Sequence, residues 1–166
     1  MINIVIDAST LILLAKTTLL KEACESWNFF ITGIVEKEST IKEDKFDAQL
    51  IKNFLVQRKI QIVHIKPSIK QYKFQRDFNI APGEASSLVL AISKSFPLAT
   101  DDGQTIKVCK ILNIKFFTAI HFLIFLLQNK KINTKLAMIK LEELKKYGRY
   151  NLRIIADAIE RIKIRR

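Results

Sequence analysis

The sequence predicts an α/β fold, in three layers, with helices on both faces of a parallel sheet of about five strands and a helical C-terminal extension. Three observations point there. Five short runs of β-branched and aromatic residues recur along the chain, each separated from the next by segments of helical spacing. Strands that alternate with helices must cross over, and crossovers give parallel sheets covered on both sides. Glycine and proline are scarce, at four and three residues, so long flexible linkers are not expected. A chain of 166 residues then fits one domain with a substantial core.

The elements follow in order. Residues 3–6 (NIVI) read as a buried parallel strand, and Asp7-Ala8-Ser9-Thr10 is a helix-capping cluster. Residues 11–24 read as one helix, and residues 29–32 (FFIT) as a second strand. Residues 35–39 begin the next helix and residues 47–57 carry another. Residues 60–65 (IQIVHI) form the third strand, and residues 68–78 a helix with Tyr72, Phe74 and Phe78 as its apolar content. After the turn at Ala81-Pro82-Gly83-Glu84, small and apolar residues at helical spacing over 85–94 predict a buried helix. Residues 96–100 (FPLAT) are the fourth strand, 105–112 a helix, 115–118 (KFFT) the fifth strand and 121–128 an apolar helix. From Thr134 onward the chain is helical, with a break at Tyr147-Gly148. The division is a main domain over residues 1–132 and a helical extension over 133–166 packed on it.

Charge narrows the function. Lys and Arg number 28 against 16 Asp and Glu, a net charge of +12. Such a surface favours polyanions, nucleic acid first among them. The apolar run at 120–127 is too short to span a bilayer, and the N-terminus lacks the basic start of a secretory signal. The two cysteines, Cys24 and Cys109, show no metal or redox spacing, and a reducing cytoplasmic setting is expected.

Within this frame the acids fall at strand and helix ends. Asp7 ends the first strand, and Asp101 and Asp102 end the fourth. Glu84 opens the helix before it, and Glu38 lies early in the helix after the second. Open α/β sheets gather ligands beyond the carboxyl ends of their strands. Acids delivered there repel one another unless a cation neutralises them. Mg²⁺ and Mn²⁺ prefer oxygen donors, and a bound ion can activate water and stabilise charge on a phosphate. An acidic centre in a basic protein suits hydrolysis of phosphodiester bonds.

These segments resemble the motifs of the PIN-domain family. VIDAST is similar to its first motif, with Asp7 as metal ligand and Ser9 as the small hydroxyl partner. TGIVEKE resembles the second, with Glu38 three residues after Val35. GEASSLVLA resembles the third, in the variant that uses glutamate at position 84. LATDDGQTIKVCKILNIKFFT resembles the fourth, in which the T-x-D pattern favours Asp102 over Asp101. The likeness runs from residue 1 to about 130 and implies a PIN-like five-stranded parallel sheet. It also implies Mg²⁺- or Mn²⁺-dependent endoribonuclease activity. The implied metal ligands are Asp7, Glu84 and Asp101 or Asp102. Glu38 joins them in catalysis, and Ser9 is a substrate-binding candidate. Many small members are toxins of toxin–antitoxin modules. The likeness thus names RNA as substrate, an antitoxin protein as partner and a homodimer as assembly.

Each residue also has a plainer role. Asp7 can cap its helix, Glu84 can complement a helix dipole, and Asp101-Asp102-Gly103 can form a turn. Glu38 can be a solvated helix acid like Glu36. His64 and His121 read as core or surface residues, the cysteines as packing residues, and Phe122 and Phe125 as core or dimer contacts. The basic tail over 149–166 reads first as a solvated helix face, with RNA contact as its second role. One alternative is a catalytically silent PIN-like module that binds RNA or protein. A phosphate-binding α/β domain ranks below it, since no glycine-rich loop follows the first strand, and so does a receiver domain, since Lys66-Pro67 rather than an aspartate follows the third.

Overall fold

The structure, a computed structural model, describes residues 1–164. Of the basic tail expected over residues 149–166, Arg165 and Arg166 lie outside the described residues. The first half runs β1 (Ile2–Ile6), α1 (Ala8–Lys16), α2 (Leu20–Ser26), β2 (Trp27–Thr32), α3 (Gly33–Thr40), α4 (Phe46–Val56) and β3 (Ile60–Val63). The second runs α5 (Ile69–Phe78), α6 (Pro82–Lys94), β4 (Leu98–Ala99), α7 (Gly103–Ile111), β5 (Phe116–Phe117) and α8 (Ala119–Gln128). Two further helices, α9 (Thr134–Tyr147) and α10 (Leu152–Lys163), complete the described chain.

All five expected strands are present and pair in parallel in the order β3-β2-β1-β4-β5. The alternation of side chains along each strand divides the core in two. Ile4, Ile6, Phe29 and Ile31 face a cluster with residues from α1, α2, α8, α9 and α10. Val5 and Leu98 face the other way, onto Phe74, Leu88, Ala91 and Val108 of α5, α6 and α7. Helices on both faces of a parallel sheet are the predicted three layers.

Local differences from the sequence reading have physical causes. The single helix expected over 11–24 is two. Thr17 turns its hydroxyl back to the Leu13 carbonyl, and Thr18 sits at φ 55°, a left-handed conformation costly for a β-branched residue. Strand β2 begins at Trp27, two residues before the expected start, because Asn28 pairs its side-chain amide with Asn3 across the sheet at 2.9 Å. Strand β4 is shorter than FPLAT: Pro97 has no N–H for the ladder, though its carbonyl accepts from Val5 at 3.0 Å.

Candidate active site

Strand order reverses between β1, which leads outward to β2 and β3, and β4, which begins the other half. The carboxyl ends of these two neighbours flank the switch point, where open α/β sheets bind ligands. Asp7 follows β1 and Asp101-Asp102 follows β4, and the Asp7 N–H donates to the Ala99 carbonyl at 3.0 Å. Buried hydroxyl residues surround this edge, among them Thr10, Thr32, Ser86, Thr100 and Thr105.

Asp7 is almost wholly buried, at 1% exposure, and caps α1 by accepting the Thr10 N–H at 3.1 Å. Its Oδ1 also accepts the Ser9 hydroxyl at 2.6 Å. Its Oδ2 is buried without a partner. Burial pushes this carboxyl up from 3.8 to about 7. The bonds from Ser9 and Thr10 and the nearby Thr100 hydroxyl oppose the rise, and the charge of Asp101 adds to it. An ionised carboxylate here wants a positive partner at its empty oxygen.

Asp101 is the best-satisfied acid of the site. Its Oδ2 accepts the Thr10 hydroxyl at 2.7 Å and the Ala119 N–H at 2.9 Å, and its Oδ1 accepts the Tyr150 hydroxyl. Burial still raises its pKa, against the pull of those donors. Asp101 thus ties β4 to α1, α8 and the loop before α10. Asp102 caps α7, and both of its bonds, from the Thr105 N–H at 2.7 Å and hydroxyl at 2.9 Å, fall on Oδ2. Ser9 braces the two strand ends: its hydroxyl donates to Asp7 and accepts the Asp101 N–H at 2.9 Å.

Glu84 returns one oxygen to the Ala81 N–H at the start of α6, the dipole-end role noted above. Burial raises its pKa, and the nearby charge of Asp102 adds to the rise. Glu38 is shifted up by burial first and by Glu84 second, with the Gly83 N–H opposing. Its carboxyl lies so close over Gly83 that a Cβ there would fall inside it. A hydroxyl pair, Thr32 and Ser86 at 2.8 Å, fixes the end of β2 to α6 beneath these two glutamates.

The acids therefore reach one sheet edge as two coupled groups, Asp7 with Asp101 and Glu38 with Glu84 and Asp102. They do not close into the tight cluster that the sequence suggested. Among the described residues, no three His, Cys, Asp or Glu side chains converge as a ready-made metal site. The caps explain this: Asp101, Asp102 and Glu84 each commit oxygen to local donors. The donor set nevertheless fits a hard divalent cation, since it is all carboxylate oxygen and includes the buried, unpartnered Oδ2 of Asp7.

Sequence reading missed Tyr150. A tyrosine beyond a helix break carries no motif, and its partner lies 49 residues earlier. It also missed a cleft of about 760 Å³ beside Asp101 and Asp102, walled by α7, α8 and α10. The remaining candidates hold their plainer roles. His64 is exposed, while Cys24 and Cys109 are buried, with burial pushing their thiols up to about 12 and about 11. Phe122 is core, in edge contact with Trp27 at 4.8 Å, and Phe125 packs on the same ring.

A doubly wound parallel sheet with carboxylates at its switch point is an arrangement that PIN domains share with other α/β proteins. The chain belongs to the PIN-domain family, whose model matches residues 3–163 and so takes in α9 and all of α10. Two solved structures are similar. One is a PilT N-terminus domain protein from the hyperthermophilic archaeon Sulfolobus solfataricus P2, at 17% identity and a TM-score of 0.47, covering 73% of this chain and 90% of that one. The other is PAE2754 from Pyrobaculum aerophilum, at 16% identity and a TM-score of 0.47, covering 63% of this chain and 77% of that one. No curated protein matches. No helix among the described residues is long and apolar enough to cross a membrane.

Proposed function

We propose that the protein is a metal-dependent endoribonuclease that hydrolyses RNA phosphodiester bonds. One observation carries the reading: a fully buried aspartate at the switch point keeps one oxygen unpartnered, with three further acidic segments at the same sheet edge. PIN domains are nucleases as a class, and the net charge of +12 suits a polyanionic substrate.

Asp7 and Asp102 would hold Mg²⁺ or Mn²⁺, with Glu84 beside them. When bound, the ion supplies a Lewis acid and a lowered water pKa. Ser9 keeps Asp7 oriented. Asp101 does not need to bind the ion, because its oxygens fasten the surrounding elements. Glu38, held over Gly83, is placed to orient water or accept its proton.

The test is RNA cleavage titrated with Mg²⁺ and Mn²⁺. The wild-type chain should cut only with the ion, and Asp7→Asn should lose at least a hundredfold in rate, on the order expected for a lost catalytic group, while keeping its fold. Full activity of that variant defeats the reading. No metal uptake by calorimetry, with RNA still bound, would favour the silent binding module. The toxin role has its own assay: induced expression should arrest growth, and Asp7→Asn should relieve the arrest.

A further inference from the structure

The cleft beside Asp101 and Asp102 belongs to no assigned function. Its far wall is the C-terminal helix pair. Arg149 and Arg153 line it from that side, with Lys110 of α7 opposite and His121 at the start of α8. Arg161 also lines it but is paired with Asp157 at 2.9 Å. Among the described residues, Arg149, Arg153 and Lys110 make no ion pair, and all three are exposed. The floor is apolar, with Ile120 and Phe116 among its residues.

The wall is held in place by construction. Tyr150, between the two arginines in sequence, donates its hydroxyl to Asp101. Gly148 makes that return possible: a Cβ there would stand 2.5 Å from the Tyr150 ring and 2.9 Å from the Leu144 carbonyl oxygen. The break between α9 and α10 is thus shaped to bring two unpaired guanidinium groups into the cleft that Asp101 and Asp102 also line.

We propose that this cleft binds the single-stranded RNA flanking the scissile bond, with Arg149 and Arg153 on its phosphates and the apolar floor under a base. The proposal rests on the nuclease reading for the identity of the polyanion. Charge complementarity selects the ligand, and Asp101 and Asp102 in the lining select RNA over an acidic peptide, since only a phosphodiester delivered beside them has a use for the carboxylates. Arginine's planar fork suits both phosphate and the face of a base.

The experiment measures binding of a fluorescent oligouridine to the full chain in EDTA, so that no cleavage occurs and its outcome is independent of Asp7→Asn. Arg149→Ala with Arg153→Ala should weaken binding at least tenfold at about 0.1 M salt and reduce the slope of log affinity against log salt by about 1.4, two contacts at roughly 0.7 each. Lys130→Ala with Lys131→Ala, just beyond the far end of α8, should leave both nearly unchanged. Thermal melts of both variants establish that they are folded. Equal loss in the two double variants means diffuse charge attraction and overturns the proposal, as does no binding by the wild type. A poly-glutamate peptide that competes as well as the RNA would give the cleft to an acidic protein partner instead.

Discussion

The Asp7 carboxyl has a consequence for stability that can be signed. Its pKa is raised by folding from 3.8 to about 7, so between those values the folded protein holds a proton that the unfolded chain has released. Stability of the metal-free protein then falls as pH rises through that window, by up to roughly 4 kcal/mol for a shift of this size. Asp101, Glu38 and Glu84 are raised as well and act in the same direction. Asp7→Asn should therefore raise the metal-free melting temperature at pH 8 and bring little gain at pH 4, measured by calorimetry in EDTA. A variant less stable than wild type at pH 8 would contradict the burial argument. Gly83 offers a second test at this scale. Gly83→Ala should favour the helix locally, but its methyl must displace the Glu38 carboxylate. The expected result is a folded protein with cleavage reduced about tenfold or more, as for a misplaced catalytic group.

Among the elements, the α9–α10 break does more than end a helix. Tyr150→Phe removes one of the three donors to Asp101 and should cost about 2 kcal/mol, a hydrogen bond to a charged group, read in denaturant unfolding. Gly148→Ala should cost roughly 1–3 kcal/mol, because the Leu144 carbonyl is backbone and cannot yield. These elements also mark what the sequence could reveal. The strands were legible because buried parallel strands are short, apolar and bounded by caps, as NIVI before Asp7 illustrates. The acids were legible because each stands at such a boundary. The Thr17–Thr18 break was not, since nothing in residues 11–24 interrupts the apolar spacing and Thr18 pays a conformational strain that composition does not announce. The partner of Asp101 was not legible either: periodicity describes neighbours along the chain, and Tyr150 acts across 49 positions.

At the scale of the whole molecule, strand order decides the site. The order β3-β2-β1-β4-β5 sets β1 against β4, and so Asp7 against Asp101. The five runs predicted a parallel sheet but not which pair of strands would adjoin at the reversal, because strand order depends on long-range pairing that local patterns do not encode. Net charge acts at this scale too: a net +12 favours polyanions, while the carboxylates at the sheet edge repel them. A divalent ion should resolve that conflict and stabilise the fold. At a hundred times its dissociation constant it should add about 2.7 kcal/mol, seen as a higher melting temperature with Mn²⁺, more at pH 8 than at pH 5. No shift at either pH would count against a metal site.

The fastening of Asp101 joins Thr10, Ala119 and Tyr150, so it draws on α1, the start of α8 and the segment between α9 and α10. A chain still being translated, with Tyr150 not yet released from the ribosome, lacks the last of these bonds. The acidic edge is therefore complete only once the segment carrying Tyr150 has folded back onto the end of β4, so the last-made contact of the fold is also the one that fixes Asp101.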